Sequence, residues 1–125
     1  MEYHHIEVDA VPVTPDRPSD QRSLGDAADL SNVAINRYEV APGEQVPFVY
    51  HYHDEQEEVF YVLDGALHVE TPTEEYVVES DHAFVAEPGS PHRAYNPADA
   101  DGPVSLLAVG APAVEDAHEY HPDDE

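Results

Sequence analysis

The chain has 125 residues, enough for one domain with one hydrophobic core and too few for separate catalytic and recognition domains. It contains 28 Asp and Glu, four Arg, no Lys and no Cys, for a formal net charge of −24, so disulfides, thiolate metal sites and a cysteine nucleophile are excluded. The acidic balance also argues against nucleic acid and membranes as partners, because nucleic acid and anionic membranes are themselves negatively charged.

The acidity and the absence of lysine resemble the cytoplasmic proteins of salt-loving microbes, in which molar salt screens the repulsion between carboxylates. An acidic protein of ordinary origin is the alternative. Neither a run of about 18 apolar residues nor a secretory signal is visible. We therefore expect a cytoplasmic protein.

The first part of the chain, residues 1–32, is predicted to be an N-terminal arm, since its segment from Pro12 to Asp29 is rich in Pro, Asp and Ser. From residue 33 onward, short β-prone runs alternate with turn residues, and eight strands are predicted at 33–40, 46–52, 58–63, 66–71, 76–79, 83–86, 92–95 and 104–109. Short strands at regular spacing are typical of an all-β sandwich or barrel. The acidic tail, residues 113–125, is predicted to be disordered.

The pair Asp64-Gly65 lies between two of these predicted strands. A two-residue type I′ turn requires positive φ at both of its central positions, and Asp-Gly is one of the pairs that tolerate it. We therefore expect the strands on either side of Asp64-Gly65 to form a β-hairpin.

Four side chains are predicted to form a metal site. His51 and His53 are two apart in a predicted strand, so both imidazoles face the same side. If the chain turns after His53 and returns as an antiparallel strand, Glu58 lies on that same side, nearest the turn. His92 follows a rigid Pro- and Gly-containing turn that could deliver a third imidazole. Three His and one Glu suit one divalent transition metal, Mn, Fe, Co, Ni, Cu or Zn, better than Ca or Mg.

These residues also carry a resemblance to the cupin family. His51-Tyr52-His53, four residues, Glu58, six residues and Gly65 are similar to the family's first motif. Gly89, His92 and Asn96 are similar to its second motif, in which Asp81 replaces the usual opening glycine. Two motifs in the right order and at a suitable separation make the signal a strong one, with the structural context as its test.

The resemblance implies a single-domain, all-β fold, the cupin jelly-roll β-barrel or double-stranded β-helix, over residues 33–112. It implies a metal bound inside the barrel by His51, His53, Glu58 and His92, and often a homodimer. The strand pattern itself favours a dimer, because alternate apolar residues of the 58–63 strand, including Tyr61 and Leu63, point away from the interior. Catalytic residues beyond the ligands are not predicted, and no organic cofactor is expected.

Two classes of function fit these features. The first is a metal-dependent enzyme acting on a small organic substrate by dioxygenase-like, isomerase or lyase chemistry, because four protein ligands leave coordination positions for a substrate. The second is a non-catalytic module that binds or senses a small molecule in the same cavity. A hydrophobic or phenolic substrate suits the predicted inward-facing residues Phe60, Val62 and Phe84. A phosphosugar suits the chain less well, since it contains only four Arg and no Lys.

Overall fold

The computed structural model of this protein describes residues 1–121 and consists almost entirely of β-strands. A 3₁₀ helix at Val8–Ala10 and the short helix α1 at Leu24–Ala27 are the helical segments among the described residues. The strands are β1 (Asp20–Ser23), β2 (Ala34–Val40), β3 (His51–His53), β4 (Glu57–Asp64), β5 (Ala66–Glu70), β6 (Glu75–Glu79), β7 (Ala83–Ala86), β8 (Arg93–Tyr95), β9 (Val104–Ala111) and β10 (Ala117–Glu119). No helix in residues 1–121 is long and apolar enough to cross a membrane.

The strands form two facing layers. One layer is a five-stranded sheet in the order β1-β2-β9-β4-β7, and every pair in it is antiparallel. The other layer contains the three-stranded sheet β6-β5-β8 and the pair β10-β3, which are linked by the bridge between His51 of β3 and His92 next to β8. A second bridge, Gln45–Tyr95, joins the loop before β3 to β8. This arrangement confirms the predicted single-domain jelly-roll barrel.

The hydrophobic core lies between the layers, where the period-2 alternation of the strands places one face of each strand. On β4, Phe60 and Val62 are buried while Tyr61 and Leu63 are exposed, as the alternation predicts. Burying a side chain the size of Phe60 contributes about 1.5 to 3 kcal/mol. The buried cluster consists of Tyr38, Val40, Val46, Phe60, Val62, Leu67, Val69, Val78, Ala94, Val104, Leu106 and Ala108.

The N-terminal arm, residues 1–32, is more ordered than the sequence predicts. Strand β1 pairs with β2 over four residues and so extends the five-stranded sheet. Its residue Gln21 is buried and donates a hydrogen bond from Nε2 to the hydroxyl of Tyr38. The Pro-rich composition of this region did not reveal the strand, because β1 is short and polar and depends on its neighbour for pairing.

Two local predictions are wrong. The predicted strand at 46–52 is a loop up to residue 50, followed by β3. Pro47 has no backbone N–H to give to a ladder, and the side chain of Gln45 donates to the carbonyls of Pro47 and Phe48 instead. The pair Asp64-Gly65 does not form a hairpin, because β4 pairs with β7 and β9 while β5 pairs with β6 and β8.

The connection at Gly65 therefore carries the chain from one layer to the other. Gly65 has φ +88°, and a Cβ at this position would lie 2.9 Å from the carbonyl oxygen of Pro103. Asp81, which stands where the cupin motif has glycine, also has a positive φ of 64°. Asp tolerates the left-handed region better than most residues, so the turn forms without its glycine.

The tail also differs from the prediction. Within the segment predicted to be disordered, 113–125, residues Ala117–Glu119 form β10 and pair with β3 in antiparallel register. Tyr120 extends the contact, since its backbone N–H donates to the carbonyl of Tyr50 and the two tyrosine rings lie 5.0 Å apart. Residues 122–125, the rest of that prediction, lie outside the described residues.

Candidate metal centre

The predicted ligands meet between the two layers of the barrel. His51 and His53 lie on β3, and Glu58 lies on β4 in the facing sheet. His92 precedes β8 and exchanges two backbone hydrogen bonds with His51, which places the two imidazoles side by side. The expected pairing of the His51/His53 strand with the Glu58 strand is wrong, because β3 pairs with β10. Glu58 reaches the histidines across the barrel, after the chain has changed sheets at residues 54–56.

Three of the four side chains form a group that could hold one ion, and His53 lies beside this group without belonging to it. His51, Glu58 and His92 each offer a ligand atom, and these three atoms all lie within 4.8 Å of one another. His53 Nε2 lies 3.1 Å from His51 Nε2 and 3.6 Å from Glu58 Oε1. The Oε1 atom of Glu58 is 2.7 Å from His92 Nε2 and 4.0 Å from His51 Nε2. Ligands about 2.1 Å from a common metal are separated by roughly 3 to 4 Å, so the observed spacing suits such a site.

Each imidazole is oriented by a hydrogen bond at its other nitrogen. Nδ1 of His51 lies 3.0 Å from the carbonyl oxygen of Val49, and Nδ1 of His92 lies 2.9 Å from that of Ser90. Nδ1 of His53 lies 2.8 Å from Oδ1 of Asp116. Because a carbonyl or carboxylate oxygen can only accept, each Nδ1 carries the proton. In the neutral rings, all three Nε2 lone pairs therefore face the shared centre.

A proton or a metal ion can bridge these groups. With neutral rings, the 3.1 Å contact between His51 Nε2 and His53 Nε2 would join two lone pairs, as would the 2.7 Å contact between His92 Nε2 and Glu58 Oε1. A proton on Nε2 turns either contact into a hydrogen bond, and a metal ion binds both atoms. Three imidazoles and one carboxylate form a donor set that divalent transition metals favour, so the residues fit the predicted metal.

The side chains of this centre shift one another's pKa values. Burial opposes ionisation of Glu58, but the interactions with His53 and His92 outweigh it and lower its pKa to about 2. The hydrogen bond to Glu58, opposed by burial and supported by Asp116, raises the pKa of His53. Burial and the charge of His92 lower the pKa of His51. The carboxylate is therefore ionised and ready to bind a cation at neutral pH.

Asp116 contacts the candidate metal centre, and the sequence did not predict it there. Besides contacting His53, it accepts the backbone N–H groups of Glu55 at 2.7 Å and Gln56 at 2.9 Å. Burial alone would raise its pKa, but these two backbone bonds and the His53 contact lower the pKa to about 2. A carboxylate behind a metal-binding histidine orients the ring and increases its basicity. Nothing in the sequence distinguished Asp116 from the many other acidic residues.

A cavity of about 250 Å³ opens onto the metal centre. It is lined by the three β3 and β4 ligands together with Arg17, Tyr38, Val46, Pro47, Phe48, Val49, Phe60, Ala94, Ala117, His118 and Glu119. The sequence analysis predicted Phe60 here correctly. Val62 is instead fully buried in the core, and Phe84 lines a separate depression on the other side of His92. Arg17, Tyr38 and His118 were not predicted, because each comes from a segment distant in sequence from the metal motifs.

Known proteins share this fold. A family model described as the cupin domain matches residues 36–110. Among solved structures, a sugar phosphate isomerase from a cupin superfamily of Silicibacter pomeroyi is 26% identical with a TM-score of 0.74, covering 86% of this chain and 75% of that protein. A candidate sugar phosphate isomerase from Acidithiobacillus ferrooxidans is 26% identical with a TM-score of 0.67; the match covers 74% of this chain and spans 58% of that protein's length.

A third structure is similar in fold alone. The polyketide cyclase of Streptomyces resistomycificus has a TM-score of 0.79 at 18% identity, covering 96% of this chain and 87% of that protein. No curated protein sequence matches the chain.

Proposed function

We propose that this chain, which belongs to the cupin domain family, is a metal-dependent enzyme that acts on a small, largely apolar organic molecule. The ligands are His51, His53, Glu58 and His92, and the metal is one divalent transition ion. Such an ion, when bound, supplies Lewis acidity and open coordination positions, which permit dioxygenase-like, isomerase or lyase chemistry.

One observation carries the proposal: ligand atoms of His51, Glu58 and His92 lie within 4.8 Å of one another at the end of a cavity, with His53 beside them. The distances from His53 Nε2 to His51 Nε2 and Glu58 Oε1, 3.1 and 3.6 Å, are those of donors that share an ion. Imidazole and carboxylate groups are ligands that divalent transition metals favour, and here they face one another beside a space large enough for a small molecule.

The rest of the cavity is largely apolar next to the proposed ligands. Phe60, Val46 and Ala94 form a buried apolar wall beside the ligands. Water is thereby limited around the reacting group, and charges inside the site interact more strongly than they would in bulk solvent. The volume of about 250 Å³ is sufficient for a molecule the size of a substituted single ring.

Two of the similar structures are named as sugar phosphate isomerases, so the charge of the cavity lining must be compared with that of a phosphate. Arg17 is the one arginine among the described lining residues, and Glu119 lies at the same cavity. A phosphate monoester carries nearly two negative charges and is usually held by several cationic groups. The cavity therefore suits a less highly charged, more apolar substrate.

Non-catalytic binding is the second candidate function. Beyond the metal ligands and Arg17, the described lining contains few groups able to move a proton, among them Tyr38, His118 and Glu119. The imidazole of His118 is already paired with Asp54 at 2.6 Å. A cavity of this kind could bind or sense a small molecule without turnover.

The test combines metal analysis with spectroscopy of the Fe(II)-loaded protein. Elemental analysis should find about one metal per chain in the wild type and a much lower content in Glu58→Gln after mild chelation. Spectra recorded without oxygen, with catechols, diketones and sugar phosphates, would reveal which class binds, and analysis after admitting air would reveal products.

Each result decides between the candidates. A product formed only in air identifies oxygenase chemistry, and a product formed without oxygen identifies isomerase or lyase chemistry. A spectral change with no product from any class would support the binding module. Failure of the wild type to retain a transition metal would contradict both candidates.

A further inference from the structure

Arg17 and Tyr38 form a polar pair in the wall of the cavity. Arg17 comes from the N-terminal arm, and Tyr38 is a buried residue of β2. Nη2 of Arg17 donates to the carbonyl of Val46 at 3.2 Å and, at 3.4 Å, to the hydroxyl of Tyr38. The guanidinium also lies 4.4 Å from the centroid of the Phe48 ring. These contacts restrict the Arg17 side chain to the cavity wall.

The pair includes a buried donor without an acceptor. Nε of Arg17 is buried and has no hydrogen-bond partner within residues 1–121. The Tyr38 hydroxyl contacts Gln21 Nε2 at 2.6 Å and Arg17 Nη2 at 3.4 Å. Buried donors are nearly always satisfied in proteins, because an unsatisfied donor has lost its hydration without replacing it. An acceptor brought by a ligand would satisfy the guanidinium.

The charge of Arg17 is also uncompensated. Arg22 and Arg93 form ion pairs with Asp20 and Glu70 at 3.6 and 2.9 Å. Arg17 lies within ion-pair distance of no carboxylate that the structure describes, in a chain with 28 acidic residues. A single cation at an apolar cavity favours a ligand with one negative charge.

We propose that Arg17 and Tyr38 bind the carboxylate of a small organic monocarboxylate whose apolar body lies along Phe60 and reaches the metal centre. This inference rests on the proposed function, since it assigns the substrate class of the same cavity. The guanidinium supplies the charge, and the Tyr38 hydroxyl supplies a second donor. Glu119 at the cavity and Glu58 at its inner end disfavour a doubly charged phosphate in the same place.

The test uses phenylacetate and its neutral analogue phenylacetamide as probes. Their binding is measured by calorimetry with wild type, Arg17→Gln and Arg37→Gln, each protein in the Zn(II)-loaded and the metal-free form. Arg37→Gln is the matched control, because it removes the same charge from β2 at a residue outside the cavity lining. Phenylacetamide reports whether the cavity remains intact in each variant.

We expect wild type to prefer phenylacetate, and Arg17→Gln to bind it about 10-fold to 100-fold more weakly. Phenylacetamide binding in Arg17→Gln, and phenylacetate binding in Arg37→Gln, should stay within about 2-fold of wild type. Tyr38→Phe should weaken phenylacetate binding by roughly 3-fold to 10-fold, the contribution of a neutral hydrogen bond.

Several outcomes would overturn the inference: undiminished phenylacetate binding by Arg17→Gln, an equal loss in Arg37→Gln, or no preference of wild type for phenylacetate at millimolar concentration. Elemental analysis of the Zn(II)-loaded wild type reports separately on the proposed metal site. An Arg17-dependent preference in metal-free protein together with failed metal loading would refute the proposed function and leave the carboxylate site standing. Normal metal loading together with phenylacetate binding that does not depend on Arg17 would refute the carboxylate site and leave the proposed function standing.

Discussion

Replacing Asp116 with Asn should weaken metal binding by about 10-fold to 100-fold, although Asp116 itself is not a proposed ligand. Its carboxylate makes three contacts, to His53 Nδ1 at 2.8 Å and to the backbone N–H groups of Glu55 and Gln56 at 2.7 and 2.9 Å. The amide of Asn has only one oxygen. If that oxygen keeps the two backbone bonds, the NH₂ group faces the N–H of His53, and two donors oppose each other.

The variant therefore loses one contact of three together with the negative charge behind His53. The imidazole is then free to turn and is a weaker base, which accounts for the expected loss of affinity, about 1.4 to 2.7 kcal/mol. The retained backbone bonds should keep β10 in place, so the metal-free variant should melt close to wild type.

Competition with a chromophoric chelator measures the affinity, and thermal melting of the metal-free proteins checks the fold. Glu115→Gln is the matched control, since the adjacent, exposed carboxylate undergoes the same change of charge. Wild-type affinity in Asp116→Asn, or an equal loss in Glu115→Gln, would contradict this role of Asp116.

Four further predictions follow from the structure. Glu58→Gln should weaken metal affinity about 10-fold or more, whereas Glu57→Gln should leave the affinity within a small factor of wild type. Loss of metal from Glu57→Gln with retention in Glu58→Gln, measured by elemental analysis, would show that the register of β4 is off by one. Gly65→Ala should lower the free energy of unfolding, measured by denaturant titration, by about 1 to 3 kcal/mol more than Gly89→Ala does. Both glycines have positive φ, but of the two only Gly65 has backbone atoms within 4 Å of the position that a Cβ would take. Equal losses in the two variants would contradict this. The melting temperature should rise from low to molar KCl as salt screens a net charge of −24, and a flat profile would count against salt adaptation. Light scattering should return a dimer mass, because apolar residues such as Leu63 are exposed on the outer face of the barrel; a value near 13.8 kDa would contradict it.

Local periodicity explains why so much of the metal centre could be predicted. His51 and His53 share one face of a strand whatever that strand pairs with, and Glu58 shares parity with Phe60 and Val62 in the same way. These assignments depend only on the two-residue repeat of an extended chain. The burial of Phe60 and Val62, with Tyr61 and Leu63 exposed, confirms the phase of that repeat on β4.

Predictions about pairing were less successful, because pairing depends on competition between distant strands. Asp64-Gly65 has the composition of a hairpin turn, yet β4 finds its partners in β7 and β9, and the chain crosses to the other layer at Gly65. Likewise, β3 pairs with β10 from a tail that composition alone marked as disordered. Charged, polar segments of this kind become ordered by pairing with a neighbouring strand. A local sequence pattern carries no information about that neighbour.

Strand periodicity and motif spacing are properties of short segments, so the all-β class, the resemblance that implies the barrel and the four candidate ligands could all be predicted from the sequence. Only the tertiary structure brought Asp116 to His53, a residue 63 positions away, and placed Arg17 and Tyr38 at the same cavity. Asp116, Arg17 and Tyr38 are single polar residues from separate segments, and no spacing rule relates them. Their roles depend on distances that exist only once the two layers have closed on each other.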